Sequence, residues 1–271
     1  MTEGESETAP LKIRSHGIRL RLTKVGVTRA ALVAGAFAAL EILCRLGTIP
    51  RATMIPPSEM LAALWQILKS GRANADIAFT VVNTLAAIAV SVVLGFWLGA
   101  LLHALPRARR VFEPLLSAYY AVPVFIFYPL LIVAFGVGRG ALIAMGAMFG
   151  IVAMIVNTMI GLDRVPRVVG RTAAVMRLDP IRRLLLMRLP AAAPHLVTGI
   201  KLAVAYSVIG IVAGEFILAT AGIGKRIAFG YQDFDNKTMY GMLLLLLLLV
   251  TVVNGALSHW EKRLHRRFGR Q

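Results

Sequence analysis

The chain alternates long apolar runs with short polar segments, and the apolar runs set its architecture. Each of the long runs is close to or above the ~20 residues that an α-helix needs to cross a bilayer. They cover approximately residues 25–46, 77–105, 115–137, 141–162, 191–220 and 238–257. A shorter apolar stripe from Ser58 to Lys69 is predicted to lie along the outer membrane interface. The pattern predicts an all-α polytopic membrane protein with six transmembrane helices.

The longest polar interruption, Arg164 to Pro190, has a pattern of its own. Apolar residues such as Val175 and Met176 alternate with arginines at helical spacing, so the segment is amphipathic. Asp179 precedes Pro180 and should break the helix there, because a residue before proline is pushed out of the helical region. We therefore predict two short helices joined by a bend. The segment is either a connector resting on anionic lipid headgroups or a docking element for another protein.

Composition and charge narrow the class of protein. Hydrophobic residues make up 58% of the 271 residues, charged residues 16%, and the mean hydropathy is +0.74, which lies outside the range of soluble domains. The net charge of +17 is distributed unevenly: 21 of the 30 lysines and arginines fall on one predicted side and 8 on the other. The positive-inside rule makes the richer side cytoplasmic, so both termini are predicted to be cytoplasmic. This distribution indicates membrane orientation rather than nucleic-acid binding.

The same pattern divides the chain into four regions. Residues 1–24 form a basic cytoplasmic tail, and residues 25–76 hold the first span and the outer interfacial helix. Residues 77–260 hold the five other spans together with the amphipathic segment 164–190, and residues 261–271 form a second basic cytoplasmic tail.

The chain offers little for redox or metal chemistry. Cys44 is the only cysteine, so an intrachain disulfide is excluded. The five histidines are scattered along the sequence and form no ligand spacing. No metal site is predicted in this chain.

Polar and proline residues within the apolar runs are the candidates for a solute path, because such residues are costly in a bilayer. The third run contains Tyr119, Tyr120 and Pro123, and a proline inside a span frees a carbonyl that needs another partner. Asn157 and Glu215 lie within the fourth and fifth runs. Each has a structural alternative: interfacial tyrosines, an amide bonded across helices, and a carboxylate paired with another helix or placed near the outer aqueous edge.

Enzymatic chemistry has no support in the sequence. The phosphate-binding motif G-x-x-x-x-G-K-[ST] is absent, since Gly224 and Lys225 are followed by Arg226. No serine, histidine and aspartate combination emerges either. The chain is therefore predicted not to be an enzyme.

The stretch TAAVMRLDPIRRLLLMRLPAAAP resembles the EAA loop of membrane subunits of bacterial ABC importers, particularly those that transport nitrate, alkanesulfonates and taurine. Aligning Leu189-Pro190 with the family's Leu-Pro places Ala173 on its second alanine, Arg171 on its glutamate and Arg177 on its glycine. Further similarities extend over residues 55–268: Pro57, Pro123, Pro129, Phe135-Gly136, Asn157-Thr158, Gly161, Pro194, Gly199, Lys201, Glu215 and Gly222-Ile223-Gly224.

The resemblance implies the permease subunit of a type I ABC importer in the bacterial inner membrane. Such a subunit forms the path for a small polar or anionic solute delivered by a soluble binding protein, works here as a homodimer, and leaves ATP and Mg to a separate ATPase dimer. The loop in this family forms the coupling helices that contact the ATPase. The corresponding residues are Arg171, Thr172, Ala173, Ala174, Met176, Arg177, Leu178, Asp179, Pro180, Arg182 and Arg183.

Two departures from the family pattern carry expectations of their own. Arg171 replaces a negative charge with a positive one, which predicts a more acidic groove on the ATPase. Arg177 removes the usual flexible glycine, and Asp179-Pro180 is expected to supply the bend instead.

Two other classes of protein remain to be compared with this interpretation. A secondary transporter driven by an ion gradient usually has paired intramembrane charges or interrupted half-helices, for which Glu215 alone is thin support. A membrane-anchored scaffold or enzyme would need a chemical constellation that the sequence lacks. Dependence of transport on an ATPase separates the importer from both.

Overall fold

The computed structural model describes residues 16–166, 168–169, 175–176, 179, 182 and 184–268. Within these residues the regular structure is entirely helical, which confirms the predicted all-α class. The chain separates into two units, Met1–Ser58 and Glu59–Gln271. The first contains helix α1, His16–Arg45, and the start of α2, Pro57–Ser70.

Contacts around Glu41 organise the end of the first unit. Its Oε1 accepts hydrogen bonds from Arg45 Nε at 2.6 Å and from the Ser58 hydroxyl at 2.7 Å. Its Oε2 accepts the backbone N–H of Ser58 at 3.0 Å. One carboxylate thus ties the end of α1 to the first turn of α2, where backbone donors lack helical partners.

The second unit contains the other helices. They are α3, Asn74–Ala104; α4, Pro106–Ala118; α5, Tyr128–Phe135; α6, Arg139–Asp163; α7, Leu189–Leu218; α8, Ile223–Gln232; and α9, Asn236–Phe268. Two short 3₁₀ turns, Tyr119–Ala121 and Val124–Phe127, connect α4 to α5. A π-helical turn, Leu184–Arg188, precedes α7.

Four helical stretches in the described part of the chain are long and apolar enough to cross a membrane: Asn74–Ala104, Arg139–Asp163, Leu186–Ile217 and Asn236–His259. They coincide with the second, fourth, fifth and sixth predicted spans. The first predicted span falls on α1, whose side chains are described mainly from Ala31 onward and which is not among these four. A sixth span therefore stays a prediction.

The third predicted span, residues 115–137, needs a correction. The structure has two helical stretches here, Pro106–Ala121 and Val124–Phe135, which meet at an angle of 98°. Together they count as one further span at most. The break lies at Pro123, as the proline indicated, but the bend is far sharper than a kink. Residues 106–114, which lie between the second and third predicted spans, begin α4, because Pro106 occupies the first helical position, where its missing N–H is harmless.

Helices α3, α6 and α7 form the core of the second unit through small residues. A Cβ atom at Gly150 would lie 2.5 Å from Ser207 Oγ and 2.8 Å from Ser91 Oγ, so only glycine fits between the flanking helices. Gly95 and Gly99 of α3 meet α6 in the same close way, and Gly146, Gly210 and Gly214 lie in similar contacts. These glycines stand in pairs four residues apart, a spacing that lets neighbouring helices approach closely.

The short helix α2 packs on α9 rather than crossing the core. A Cβ atom at Gly241 of α9 would lie 2.7 Å from Ile67 Cδ1. Trp65, on the same helix, is 69% exposed. This arrangement fits the amphipathic pattern from which an interfacial helix was predicted.

Candidate translocation and coupling sites

The first candidate site surrounds the N-terminus of α8. The backbone N–H groups of Gly222, Ile223 and Gly224 donate to Asp76 Oδ1 at 3.0 Å, Thr80 Oγ1 at 2.9 Å and Glu215 Oε2 at 3.0 Å. Each of these donors lacks an intrahelical acceptor, and the carboxylates also favour the positive end of the helix dipole. Side chains from α3 and α7 therefore cap α8.

Glu215 is the centre of this capping network. It is fully buried, and its Oε2 also accepts the hydroxyl of Thr80 at 2.8 Å. The carboxyl group packs directly against Gly222, where a Cβ atom would overlap it. These contacts give the intramembrane carboxylate a structural role in joining α3, α7 and α8.

A polar pocket of about 400 Å³ adjoins the cap. Asp76 binds Arg226 Nε at 2.6 Å on one side of this pocket. Asp235, also part of the lining, accepts the N–H of Thr238 at 3.2 Å and so begins α9 as its N-cap. The hydrogen bonds from Thr238 lower the pKa of Asp235 below its ordinary value.

The second candidate site is an aromatic cluster at the break between α4 and α5. Tyr119 and Tyr120 meet edge to face with ring centroids 5.6 Å apart, and Tyr120 lies 5.1 Å from Tyr206 of α7. The Tyr119 hydroxyl donates to the carbonyl of Met148 at 3.0 Å, which holds the cluster to α6. The ring of Tyr120 is 45% exposed.

Phe125 and Phe149 extend the aromatic cluster, with centroids 5.0 Å apart. Pro123 lies between the two 3₁₀ turns and directs the chain from the tyrosines to Phe125. The structure thus brings together Tyr119, Tyr120 and Pro123. Tyr206 is not among the residues predicted to line the path, because an aromatic residue in an apolar helix is unremarkable until the face of that helix turned toward α4 is known.

Asn157 lies on α6 and uses its side chain for local packing. Its Nδ2 donates to the carbonyl of Ala153 at 2.8 Å. A Cβ atom at Gly199 would lie 2.8 Å from Asn157 Cβ, so the amide lies at the contact between α6 and α7. Neither Asn157 nor Glu215 has a described hydrogen bond or ring contact with the tyrosine cluster.

The third candidate site is a charged junction at the end of α6. Asp163, the last helical residue, is 2.8 Å from Arg109 Nη1 of α4 and 2.9 Å from His103 Nδ1 of α3. Arg109 also faces Glu113 at 3.4 Å. The junction immediately precedes the amphipathic segment 164–190, so that segment starts from a point tied to three helices.

Most of the predicted coupling residues lie outside the described part of the chain. These are Arg171, Thr172, Ala173, Ala174, Arg177, Leu178, Pro180 and Arg183. Met176, Asp179 and Arg182 are described, and all three are exposed. Val175 is 84% exposed and Met176 58%, so two adjacent apolar side chains of this segment are open to contact with lipid or with another protein.

Comparison with known proteins complements this geometry. The family model described as "Binding-protein-dependent transport system inner membrane component" matches residues 91–268. A probable ABC transporter permease protein from Haemophilus influenzae is 32% identical over 167 residues, which cover 60% of this chain and 68% of that protein. The taurine transport system permease protein of Escherichia coli is 25% identical over 211 residues, covering 77% of this chain and 73% of that protein.

Two further comparisons extend the range of relatives and the fold. The nitrate import permease protein of Leptolyngbya laminosa is 28% identical over 148 residues, which cover 55% of this chain and 53% of that protein. An inward-facing structure of the MetNI methionine ABC transporter superposes with a TM-score of 0.61 at 20% identity. The superposition covers 74% of this chain and 96% of that one, so the similarity concerns the fold.

Proposed function

Because this chain belongs to the family of binding-protein-dependent transport system inner membrane components, the permease subunits of ABC importers, we propose that it forms the membrane path for a small polar or anionic solute. Nitrate, a sulfonate and taurine are the proposed candidates. Proteins named for nitrate, taurine and aliphatic sulfonate transport among its relatives support this range. Other relatives are named for riboflavin and glycine betaine. Family membership therefore does not identify the solute, which depends on the residues that line the path.

Membership of the family also decides whether the chain is an enzyme. The family consists of transport permease subunits, and its ATPase is a separate subunit, so the prediction that this chain is not an enzyme is confirmed. The family has no cofactor of its own. In our proposal ATP and Mg bind to the partner ATPase.

The observation that carries the proposal is the position of segment 164–190 within the family match. It connects α6 to α7, which pack against each other through glycines and both have the length of a membrane span. A displacement of this segment would therefore be passed to the two helices at the centre of the core. The exposed Val175 and Met176 offer the apolar contact through which an ATPase subunit could grip it.

We assign contact with the ATPase to the residues of that segment. They are Arg171, Thr172, Ala173, Ala174, Met176, Arg177, Leu178, Asp179, Pro180, Arg182 and Arg183. Their net positive charge makes an acidic groove the complementary surface. In this arrangement the segment and both termini face the cytoplasm, as the distribution of basic residues predicts.

The solute path is assigned to the aromatic cluster, with Tyr119, Tyr120 and Pro123 as its wall. Tyr120 is 45% exposed at the surface of the single chain, so a second copy facing it would complete an enclosed path. This geometry is our reason for proposing a homodimer. Asn157 and Glu215 are proposed as more distant contributors, and the hydrogen bonds of Glu215 give it the additional role of capping α8.

Assembly and energy dependence test the proposal together. We expect the chain to co-purify with an ABC ATPase and a soluble binding protein, and proteoliposomes of the complex to accumulate labelled taurine or nitrate only with internal ATP. An ATPase variant that cannot hydrolyse ATP should abolish uptake. Uptake that persists with that variant and follows an imposed ion gradient would establish the rival secondary transporter.

A substitution in segment 164–190 tests which surface the ATPase contacts. Arg171→Glu reverses one charge toward the proposed acidic groove, so it should reduce the amount of ATPase that co-purifies. Arg139→Glu makes the same change at the start of α6, the opposite end of that helix, and should leave assembly intact. Equal recovery of the ATPase with both variants would contradict the proposed docking surface.

A further inference from the structure

Asp163 occupies a position that helix energetics alone disfavour. It is the last residue of α6, where the partial negative charge of the helix dipole repels a carboxylate. An acid at a helix C-terminus therefore needs compensation from elsewhere. Two other helices supply it, since Arg109 Nη1 of α4 lies 2.8 Å from its Oδ2 and His103 Nδ1 of α3 lies 2.9 Å from its Oδ1.

These contacts lie on both sides of one tight turn. Helix α3 ends at Ala104 and α4 starts at Pro106, so His103 and Arg109 flank the single intervening residue, Leu105. Asp163 holds both flanks at once. The junction thus links the angle between α3 and α4 to the position of Asp163. Segment 164–190 begins at the residue after Asp163.

Helix α4 is suited to move as a lever. None of its residues is buried, in contrast to α3 and α6, which interlock through glycines. Its 13 residues correspond to a length of about 20 Å at 1.5 Å per residue. Its far end continues directly into the 3₁₀ turn that carries Tyr119 and Tyr120, whose hydroxyls donate to the α6 carbonyls of Met148 and Phe149. A displacement of α4 would therefore lengthen or break these two hydrogen bonds.

From this geometry we propose that Asp163 is a positioning residue that passes displacements of segment 164–190 to helix α4 through Arg109, and thereby moves Tyr119 and Tyr120. The inference rests on the proposed function, because it supposes that an ATPase moves the segment. It adds a second route from the ATPase to the solute path, beside the direct connection of the segment to α6 and α7. His103 orients the carboxylate from the side of α3.

The ion pair is partly exposed. Its exposure allows a role in transmitting motion to be distinguished from a role in stability. The side chains of Arg109 and Asp163 are 27% and 37% exposed. Exposed ion pairs contribute little to stability, so removing this pair should change the melting temperature by a few degrees at most. A large effect on motion without a comparable loss of stability would therefore mark transmission.

Fluorescence from a label on α4 tests the proposal in the complete complex with its ATPase. Replacing Cys44, the only cysteine, by alanine leaves Leu115→Cys as the single attachment site for an environment-sensitive fluorophore. Leu115 lies on α4 and is 60% exposed. We expect trapping with ATP and vanadate to shift the emission, and we expect Asp163→Asn and Arg109→Gln to lose that shift.

Two further variants provide the controls. Asp163→Arg combined with Arg109→Asp restores opposite charges in exchanged positions and should recover part of the shift. Arg107→Gln removes a charge from the same helix at an exposed residue that forms no ion pair within the described part of the chain, and it should keep the full shift. Co-purified ATPase and its hydrolysis of ATP verify assembly of every variant.

The outcomes distinguish this inference from the function on which it rests. A full shift in Asp163→Asn, or a lost shift accompanied by a large fall in melting temperature and no recovery in the exchanged pair, overturns it. If ATP-driven uptake is normal but α4 shows no shift in the unsubstituted pair, the inference alone fails. If neither uptake nor any response to ATP occurs, the proposed function fails and takes the inference with it.

Discussion

At Gly222, both the backbone conformation and the packing require glycine. Its φ of +113° lies in the region that side-chain-bearing residues rarely adopt, and a Cβ atom there would overlap the carboxyl group of Glu215. Gly136 has a similar positive φ of +77°, but a Cβ atom there would meet nothing within 4 Å. Comparing the two glycines therefore separates the cost of backbone strain from the cost of steric overlap.

Replacing each glycine by alanine should destabilise the protein to different extents. Gly136→Ala carries only the strain of an extended positive-φ conformation that is almost exclusive to glycine, about 1–3 kcal/mol. Gly222→Ala adds displacement of Glu215 and loosening of the α8 cap, with an overpacking cost of about 1–3 kcal/mol more. Thermal unfolding of the purified variants in one detergent measures the difference. Equal melting temperatures would show that Glu215 can move without cost.

The capping network also shows what single residues reveal in a sequence. Glu215 was conspicuous, because a carboxylate inside an apolar run demands an explanation. Its explanation was hidden, since Thr80 and Gly224 lie 135 and 9 residues away along the chain. Hydropathy identifies a costly group but carries no information about which helix faces it, so the capping role emerged only from the fold.

At the scale of helices, the packing of α3, α6 and α7 gives the sharpest prediction. Leucine at position 150 would need space occupied by Ser207, Ser91 and the carbonyl of Ala203, all within 2.8 Å of a Cβ atom. We expect Gly150→Leu to cost at least the upper end of about 1–3 kcal/mol, because a carbonyl cannot move aside. The yield of monodisperse protein after gel filtration should fall strongly.

Gly255 of α9 provides the matched control for this substitution. A Cβ atom at Gly255 would meet nothing within 4 Å, so Gly255→Leu adds the same side chain to a helix without a clash. Its yield should remain near that of the unsubstituted chain. A normal yield for Gly150→Leu as well would mean that these helices are not packed as closely as described.

The helices also mark the limit of prediction from hydrophobic pattern. Four spans follow from the lengths of the apolar runs, because run length depends only on local sequence. The 98° bend does not follow, since Pro123 marks where the helix breaks but Tyr119 and Phe125 fix its direction by contacts with α6. The start of α4 lies in the polar stretch between two predicted spans, where hydropathy alone indicates no helix, and its Arg109 is paired with Asp163.

At the scale of the whole molecule, the side of the membrane indicated by the basic residues must agree with the side from which an ATPase could contact segment 164–190. If segment 164–190 is the part that an ATPase contacts, then this segment and the Asp163 junction from which it departs both lie on the cytoplasmic side. The capping network of α8 and the short turn between α5 and α6 then lie on the outer side. The proposed function therefore requires one orientation, and a segment 164–190 found on the outer side would contradict it.

Two exposed valines test this orientation directly. Val137, between α5 and α6, is 72% exposed, and Val175, within segment 164–190, is 84% exposed. In a Cys44→Ala chain, a membrane-impermeant maleimide should label Val137→Cys in intact spheroplasts and Val175→Cys only after permeabilisation. The two valines are exposed to a similar extent and receive the same substitution. Their labelling should therefore differ only through the side of the membrane on which each lies. Labelling of Val175→Cys from outside would place the coupling segment beyond the reach of any cytoplasmic ATPase, because the bilayer bars both the protein and its ATP.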